Sequence, residues 1–207
     1  MGKRRSSSRR WLKEHEEDIF VKRARSEGYR SRAAYKLLEL DERFKLIRRN
    51  QVAVDLGAAP GGWTQVLARR LAGDGTVIAL DILEMEPIED VTVIRGDFRE
   101  DEALAELEKT VTPGSVGIVL SDMAPNISGV QAADQAGSMY LAELALDFAR
   151  SHLRKGGQFV TKVFQGEGVD AYIAGLRKLF GKVSIAKPSA SRPRSREIYL
   201  VCKDFKG

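Results

Sequence analysis

The chain has 207 residues, of which 43% are hydrophobic and 30% charged, enough for one domain with a full core and too apolar for a wholly disordered protein. No apolar run is long enough to cross a membrane, and the basic, serine-bearing start has no apolar stretch behind it, which argues against a secretory signal. The single Cys202 excludes a disulfide framework, so the expected location is the cytoplasm.

In chain order, residues 1–10 read as a basic tail without structure of its own when unbound. Trp11 to Ala24 can form an amphipathic helix. Ser31 is the expected N-cap of a helix running to Phe44, with Ala34, Leu37, Leu38 and Leu40 among its apolar positions. Strands and helices then alternate: Val52–Asp55, helix 63–71, Val77–Asp81, Val91–Arg95, helix 101–109, Val116–Ser121, helix 134–153, Gly157–Phe164 and helix 168–180. Val183–Ala186 and Glu197–Cys202 close the chain with only a Pro/Ser/Arg loop between them, which predicts an antiparallel hairpin. The pattern predicts an α/β domain, a mostly parallel sheet with helices on both faces.

The net charge of +5 is unevenly placed. Residues 1–36 hold twelve Lys/Arg against five acids, a surplus of seven, so the rest of the chain is net negative by two. That charge alone fits a solubilising tail as well as a polyanion-binding arm. A second cluster, Lys182, Lys187, Arg192, Arg194 and Arg196, favours nucleic acid.

The stretch Val52 to Trp63 carries the most chemistry. A β-branched strand ends in Asp55, and Gly57, Gly61 and Gly62 open a helix, so backbone N–H groups face a ligand at the sheet's end. Asp81 follows at the offset at which an acidic side chain accepts from the hydroxyls of an adenosyl ribose. The turn is not G-x-G-x-x-G, and Pro60 removes a donor that a phosphate would use, which disfavours a nicotinamide oxidoreductase. S-adenosylmethionine, which has no phosphate, fits better.

Asp55, Asp81, Asp97, Asp122 and Lys162 all fall at or just after the carboxyl ends of parallel strands, where such sheets bind ligands. Each has a bland reading. Asp97 and Asp122 suit turns or caps, and Glu197 suits a charge partner for Arg192, Arg194 and Arg196. Trp63 either lies on the cofactor or fills the helix–sheet core. Tyr29, Arg30 and Arg32 either grip phosphates or start a helix. If the last strand lies beside that of Lys162, with the Asp122 strand on its other side, Glu197 falls near Lys162 and a carboxylate–lysine–carboxylate row results. His15 and His152 have no metal-ligand spacing, and no metal is expected.

Together, DLGAAPGGW (55–63), GDF (96–98), SDMAPN (121–126), KVFQGEG (162–168) and SREIYLV (195–201) resemble the FtsJ/RrmJ family of S-adenosylmethionine-dependent ribosomal RNA 2′-O-ribose methyltransferases. The resemblance spans nearly the whole chain. It implies a Rossmann-like methyltransferase fold with a seven-stranded sheet and an antiparallel last strand. It places the catalytic set on Lys36, Asp122, Lys162 and Glu197, and the cofactor contacts on Gly61, Trp63, Asp81, Asp97 and Asp122. The implied reaction is methylation of a uridine ribose in the A-loop of 23S rRNA, with Lys162 as general base or as positioner of the 2′-hydroxyl. The implied partner is ribosomal RNA within the large subunit or its late precursor, met by a monomer with no membrane attachment. Residues 1–28 would be a basic RNA-binding arm and residues 29–207 the methyltransferase domain. The alternatives are methylation of tRNA or mRNA-cap ribose, or a non-catalytic RNA-binding ribosome assembly factor.

Overall fold

The computed structural model describes residues 18–207. The tail at residues 1–10 and the first part of the helix expected from Trp11 lie outside them. The elements are α1 (Ile19–Ser26), α2 (Ala33–Phe44), β1 (Val52–Leu56), α3 (Gly62–Leu71), β2 (Thr76–Asp81), β3 (Val91–Arg95), α4 (Asp101–Thr110), β4 (Val116–Ser121), α5 (Gln131–His152), β5 (Leu153–Phe164), α6 (Val169–Leu179), β6 (Phe180–Ala186) and β7 (Glu197–Phe205).

Seven strands form one sheet in the order β3-β2-β1-β4-β5-β7-β6. The first five are parallel, β7 runs antiparallel between β5 and β6, and β6 and β7 form the expected hairpin. The alternation of side chains along each strand divides the core in two. On β7, Ile198, Leu200 and Cys202 join the core under α4, α5 and α6, whereas Tyr199 and Val201 join the core under α2 and α3. A buried leucine such as Leu37 of α2 is worth about 2–5 kcal/mol against alanine in such a position.

Two local expectations change. Ser31 does not cap α2: the residue before the helix is Arg32, in helical conformation without a side-chain cap bond, and the buried Ser31 hydroxyl has no hydrogen-bond partner among the described residues. The first turn is held by backbone instead, Ala34 N–H donating to Ser31 C=O. Asp18 caps α1, its carboxylate accepting from Phe20 N–H at 2.9 Å. Helix α1 then lies on α2 through Phe20 and Tyr35, ring centroids 5.7 Å apart, so residues 18–26 are joined to the domain.

The order β2-β1-β4-β5 places a topological reversal between β1 and β4, and ligands bind outside the carboxyl ends of strands at such a point. Asp122 N–H donates to Leu56 C=O across it, fixing the chain that leaves β4 against the end of β1.

Candidate active site

The glycine turn after β1 is tight because nothing larger fits. Gly57 has φ +78°, and a Cβ there would lie 2.7 Å from Met123 Cγ. Gly61 has φ +107° and forms the N-cap of α3, whose first-turn N–H groups lack intrahelical acceptors. Asp81, at the end of β2, accepts from Ala59 N–H at 2.9 Å and from Leu83 N–H at 2.8 Å, one bond to each oxygen. A carboxylate has about four acceptor positions, so Asp81 retains capacity for two hydroxyls. Exposed Ile82 and Leu83 beside it supply apolar surface.

Asp97 follows β3 as expected, but its carboxylate is taken up by Arg99, whose Nε donates at 2.9 Å and whose backbone N–H donates at 3.0 Å. That arginine holds Asp97 below the usual carboxylate range, burial acting the other way. Trp63 is buried: its indole N–H donates to Ala33 C=O at 2.8 Å and its ring lies 5.6 Å from that of Tyr199. Its side chain therefore fills the core, and only its first-turn backbone faces the sheet's end.

Asp55 sits beneath the turn, fully buried. Its Oδ2 accepts from Thr64 Oγ1 at 2.7 Å, whereas Oδ1 has no partner. Burial is the main cause raising its pKa to about 7, Asp122 and Asp81 adding to it.

The other half of the site is a chain of ionic contacts. Lys36 of α2 meets Glu197 Oε1 at 2.8 Å and donates to Tyr199 Oη at 2.9 Å. The Tyr199 hydroxyl donates to Asp122 Oδ1 at 2.7 Å. Lys162 meets the same Oδ1 at 2.9 Å and donates to Asp122 C=O at 2.5 Å. Burial alone would raise Asp122, but Lys162, Lys36 and the Tyr199 hydroxyl outweigh it and hold the carboxyl low. Glu197 is held low in the same way, burial opposing and Lys36 with Ser191 prevailing.

All four predicted catalytic residues thus converge, and the strand order is the one expected. The pairing within the row differs. Glu197 stands opposite Phe164, one rung beyond Lys162, and reaches across to Lys36 rather than to Lys162. Tyr199, absent from the prediction, links the two pairs. It lies two residues after Glu197 and so on the same face of β7, a periodicity that could have flagged it.

The sequence leaves two readings open for Arg30 and Arg32, a phosphate grip or a helix start, and the guanidinium groups of both make contacts within the protein. Arg30 donates to Glu86 C=O at 2.5 Å and Pro87 C=O at 2.8 Å, and Arg32 pairs with Asp18 and donates to Ala190 C=O at 2.5 Å. Tyr29 has the Arg69 guanidinium 4.3 Å over its ring.

Residues 29–205 match the family model of FtsJ-like methyltransferases. The chain is 55% identical over 204 residues to the ribosomal RNA large subunit methyltransferase E of Azoarcus sp., covering 99% of this chain and 100% of that protein. It is 54% identical over 204 residues to the protein of the same name in Pseudomonas aeruginosa, 99% of each chain being covered. Among solved structures, one described as a ribosomal RNA methyltransferase of Plasmodium falciparum matches with a TM-score of 0.78 at 33% identity, covering 86% of this chain and 100% of that one. A structure described as an rRNA-methylase of Clostridium thermocellum, at 17% identity and a TM-score of 0.57, covers 83% of this chain and 97% of that one and shares the fold.

Proposed function

The chain belongs to the FtsJ-like methyltransferase family, and on that premise we propose that it methylates the ribose 2′-oxygen of a uridine in the A-loop of large-subunit ribosomal RNA, using S-adenosylmethionine. The observation that carries the reading is the Lys162–Asp122 pair, the lysine buried and the carboxylate half-buried, at the ends of β5 and β4 beside the glycine turn. Bare structure gives little reason for it, because a buried ion pair is often no more stable than apolar residues of equal volume.

The residues present fit the cofactor. Asp81 has acceptor capacity for ribose hydroxyls, Ile82 and Leu83 offer an apolar surface for a purine, and the first-turn N–H groups of Gly62 and Trp63, positioned by the Gly61 turn, offer donors for a carboxylate. Bound S-adenosylmethionine supplies a methyl group on a sulfonium, already activated for transfer. The protein must then align the attacking oxygen and manage one proton. Besides its bond to Cε, Lys162 Nζ has three tetrahedral positions; two are directed at Asp122, so in the free amine the two N–H bonds point there and the lone pair is left for the substrate hydroxyl. We assign Lys162 Nζ, as the free amine, to orient the 2′-hydroxyl and to take up its proton as the oxygen bonds to the methyl group and the methyl's bond to the cofactor sulfur breaks. Asp122 fixes that amine, and Tyr199, Lys36 and Glu197 fix Asp122.

Basic residues 1–28 and the cluster Lys182, Lys187, Arg192, Arg194 and Arg196 supply the charge for RNA backbone, in keeping with action in the cytoplasm on the large subunit or its late precursor. Among the described residues, no helix is long and apolar enough to cross a membrane.

The test is transfer of a labelled methyl group from S-adenosylmethionine to large ribosomal subunits from cells lacking this activity. Alkaline digestion should leave the label in an alkali-resistant dinucleotide, because a 2′-O-methyl ribose cannot cyclise. Label released in mononucleotides would mean base methylation, and no incorporation would favour an assembly factor.

A further inference from the structure

Side chains two apart on a strand share a face and lie about 7 Å apart. On β5, Val160, Lys162 and Phe164 share the face toward α2 and α3, as Glu197, Tyr199 and Val201 do on β7. Lys162 pairs in register with Tyr199 and Phe164 with Glu197, so Phe164 stands one rung outward from the reacting amine. Arg196 precedes Glu197, and its guanidinium carbon lies 5.9 Å from the centroid of the Phe164 ring. Lys162 is buried, whereas Phe164 and Arg196 are both half-buried. Among the described residues, Phe164 packs into neither hydrophobic core.

The backbone beneath this pair is fixed from α5. Phe164 N–H donates to Ser138 Oγ at 3.0 Å, and Phe164 C=O accepts from Gln135 Nε2 at 2.9 Å. Gln165 N–H donates to Arg196 C=O at 2.8 Å, tying the two stacked residues together. Gly166 allows this bracing, since a Cβ there would lie 2.7 Å from Gln135 Oε1.

We propose that Phe164 and Arg196 form a stacking platform for the nucleobase of the nucleotide whose ribose lies at Lys162. An aromatic ring and a guanidinium plane are the groups on which unstacked RNA bases are held, and one rung of the strand is comparable to the reach from a 2′-oxygen to its own base. Every base has a π-face, so the platform holds the target nucleotide without reading its identity. A nucleotide pulled from its own stack would thereby be fixed at two points, base on Phe164 and Arg196, hydroxyl on Lys162.

The inference rests on RNA being the substrate, and its test separates the two. Phe164→Leu, Phe164→Trp and Arg196→Gln are assayed for methyl transfer to large ribosomal subunits, with cofactor affinity measured by calorimetry. Phe164→Leu should raise KM for subunits about 5- to 100-fold, the range of one lost base–aromatic stack, with cofactor affinity unchanged. Phe164→Trp should restore most of the loss, because a larger ring still stacks, whereas a residue that only filled space would tolerate leucine better than tryptophan. Arg196→Gln should raise KM in the same direction. Wild-type turnover with an unchanged KM in Phe164→Leu and Arg196→Gln, or rescue by leucine rather than tryptophan, overturns the platform alone. Wild-type protein that neither binds nor methylates RNA overturns both readings.

Discussion

The two halves of the sheet's carboxyl edge hold their acids differently. On the β1–β3 side, Asp81 binds the N–H groups of Ala59 and Leu83, and Asp97 binds Arg99. These partners lie 2 to 22 residues away in sequence. On the β4–β5–β7 side, Asp122 binds Lys162 and Tyr199, and Lys36 binds Glu197 and Tyr199, across 40 to 163 residues. The first arrangement is a turn with spare acceptor capacity, suited to receiving a small molecule. The second is a buried ionic chain satisfied almost entirely from within, suited to holding one amine in place. The first arrangement is built locally, whereas the ionic chain needs α2 and the strands β4, β5 and β7 brought together.

Asp81→Ala should damage only the first half. Loss of bonds to a charged acceptor costs roughly 1.5–3 kcal/mol, so calorimetry should show cofactor affinity down about 10- to 100-fold, with transfer at saturating cofactor largely retained. Tyr199→Phe should damage only the second. It leaves Lys36 and Asp122 each one bond short in a buried setting, a stability loss of roughly 1–3 kcal/mol in urea denaturation, with cofactor affinity near wild type. If either variant moves the other half's readout equally, the division is wrong.

Asp55, beneath the turn, responds to acid unlike the carboxylates of the ionic chain. Asp122 and Glu197 titrate below their unfolded values, so their contribution is present above about pH 4 and is lost as pH falls through the lower folded pKa. Asp55 has the opposite sign. With a folded pKa of about 7, it binds its proton more tightly when folded, so its share of stability falls as pH rises from about 4 to 7. Asp55→Asn should flatten that fall, with urea midpoints compared at pH 5 and pH 8. A slope unchanged by the substitution would remove Asp55 as its source. The smallest effect belongs to Arg99→Gln. Freeing Asp97 from its arginine should tighten cofactor binding a few-fold, and weaker binding would mean that the arginine helps to build the pocket.

The same contrast explains what the sequence revealed. The β6–β7 hairpin and the placing of Asp122 and Lys162 at strand ends could be anticipated, because alternating elements and strand ends leave local marks, whereas Lys36 joined the set only through the family resemblance. Which amine meets which carboxylate could not be anticipated. That depends on Glu197 standing one rung beyond Lys162, opposite Phe164, and on Lys36 arriving from α2 above the sheet. Tyr199 was hidden because a tyrosine in an apolar strand reads as core, and most of its ring is core. Arg30 and Arg32 stayed open between two readings because sequence shows charge but not what it is spent on. Ser31 misled because it suits a cap by type, yet its hydroxyl is buried without a partner among the described residues.

The central claim is that Lys162 serves the transfer step and not the binding of the cofactor. Single-turnover methyl transfer to large subunits by Lys162→Met, with cofactor affinity measured on the same protein, tests it most directly. The rate should fall by about 10²–10⁴, the range for a positioned acid or base, with cofactor affinity and fold retained. A rate within a few-fold of wild type would contradict it, as would a loss explained wholly by weaker cofactor binding.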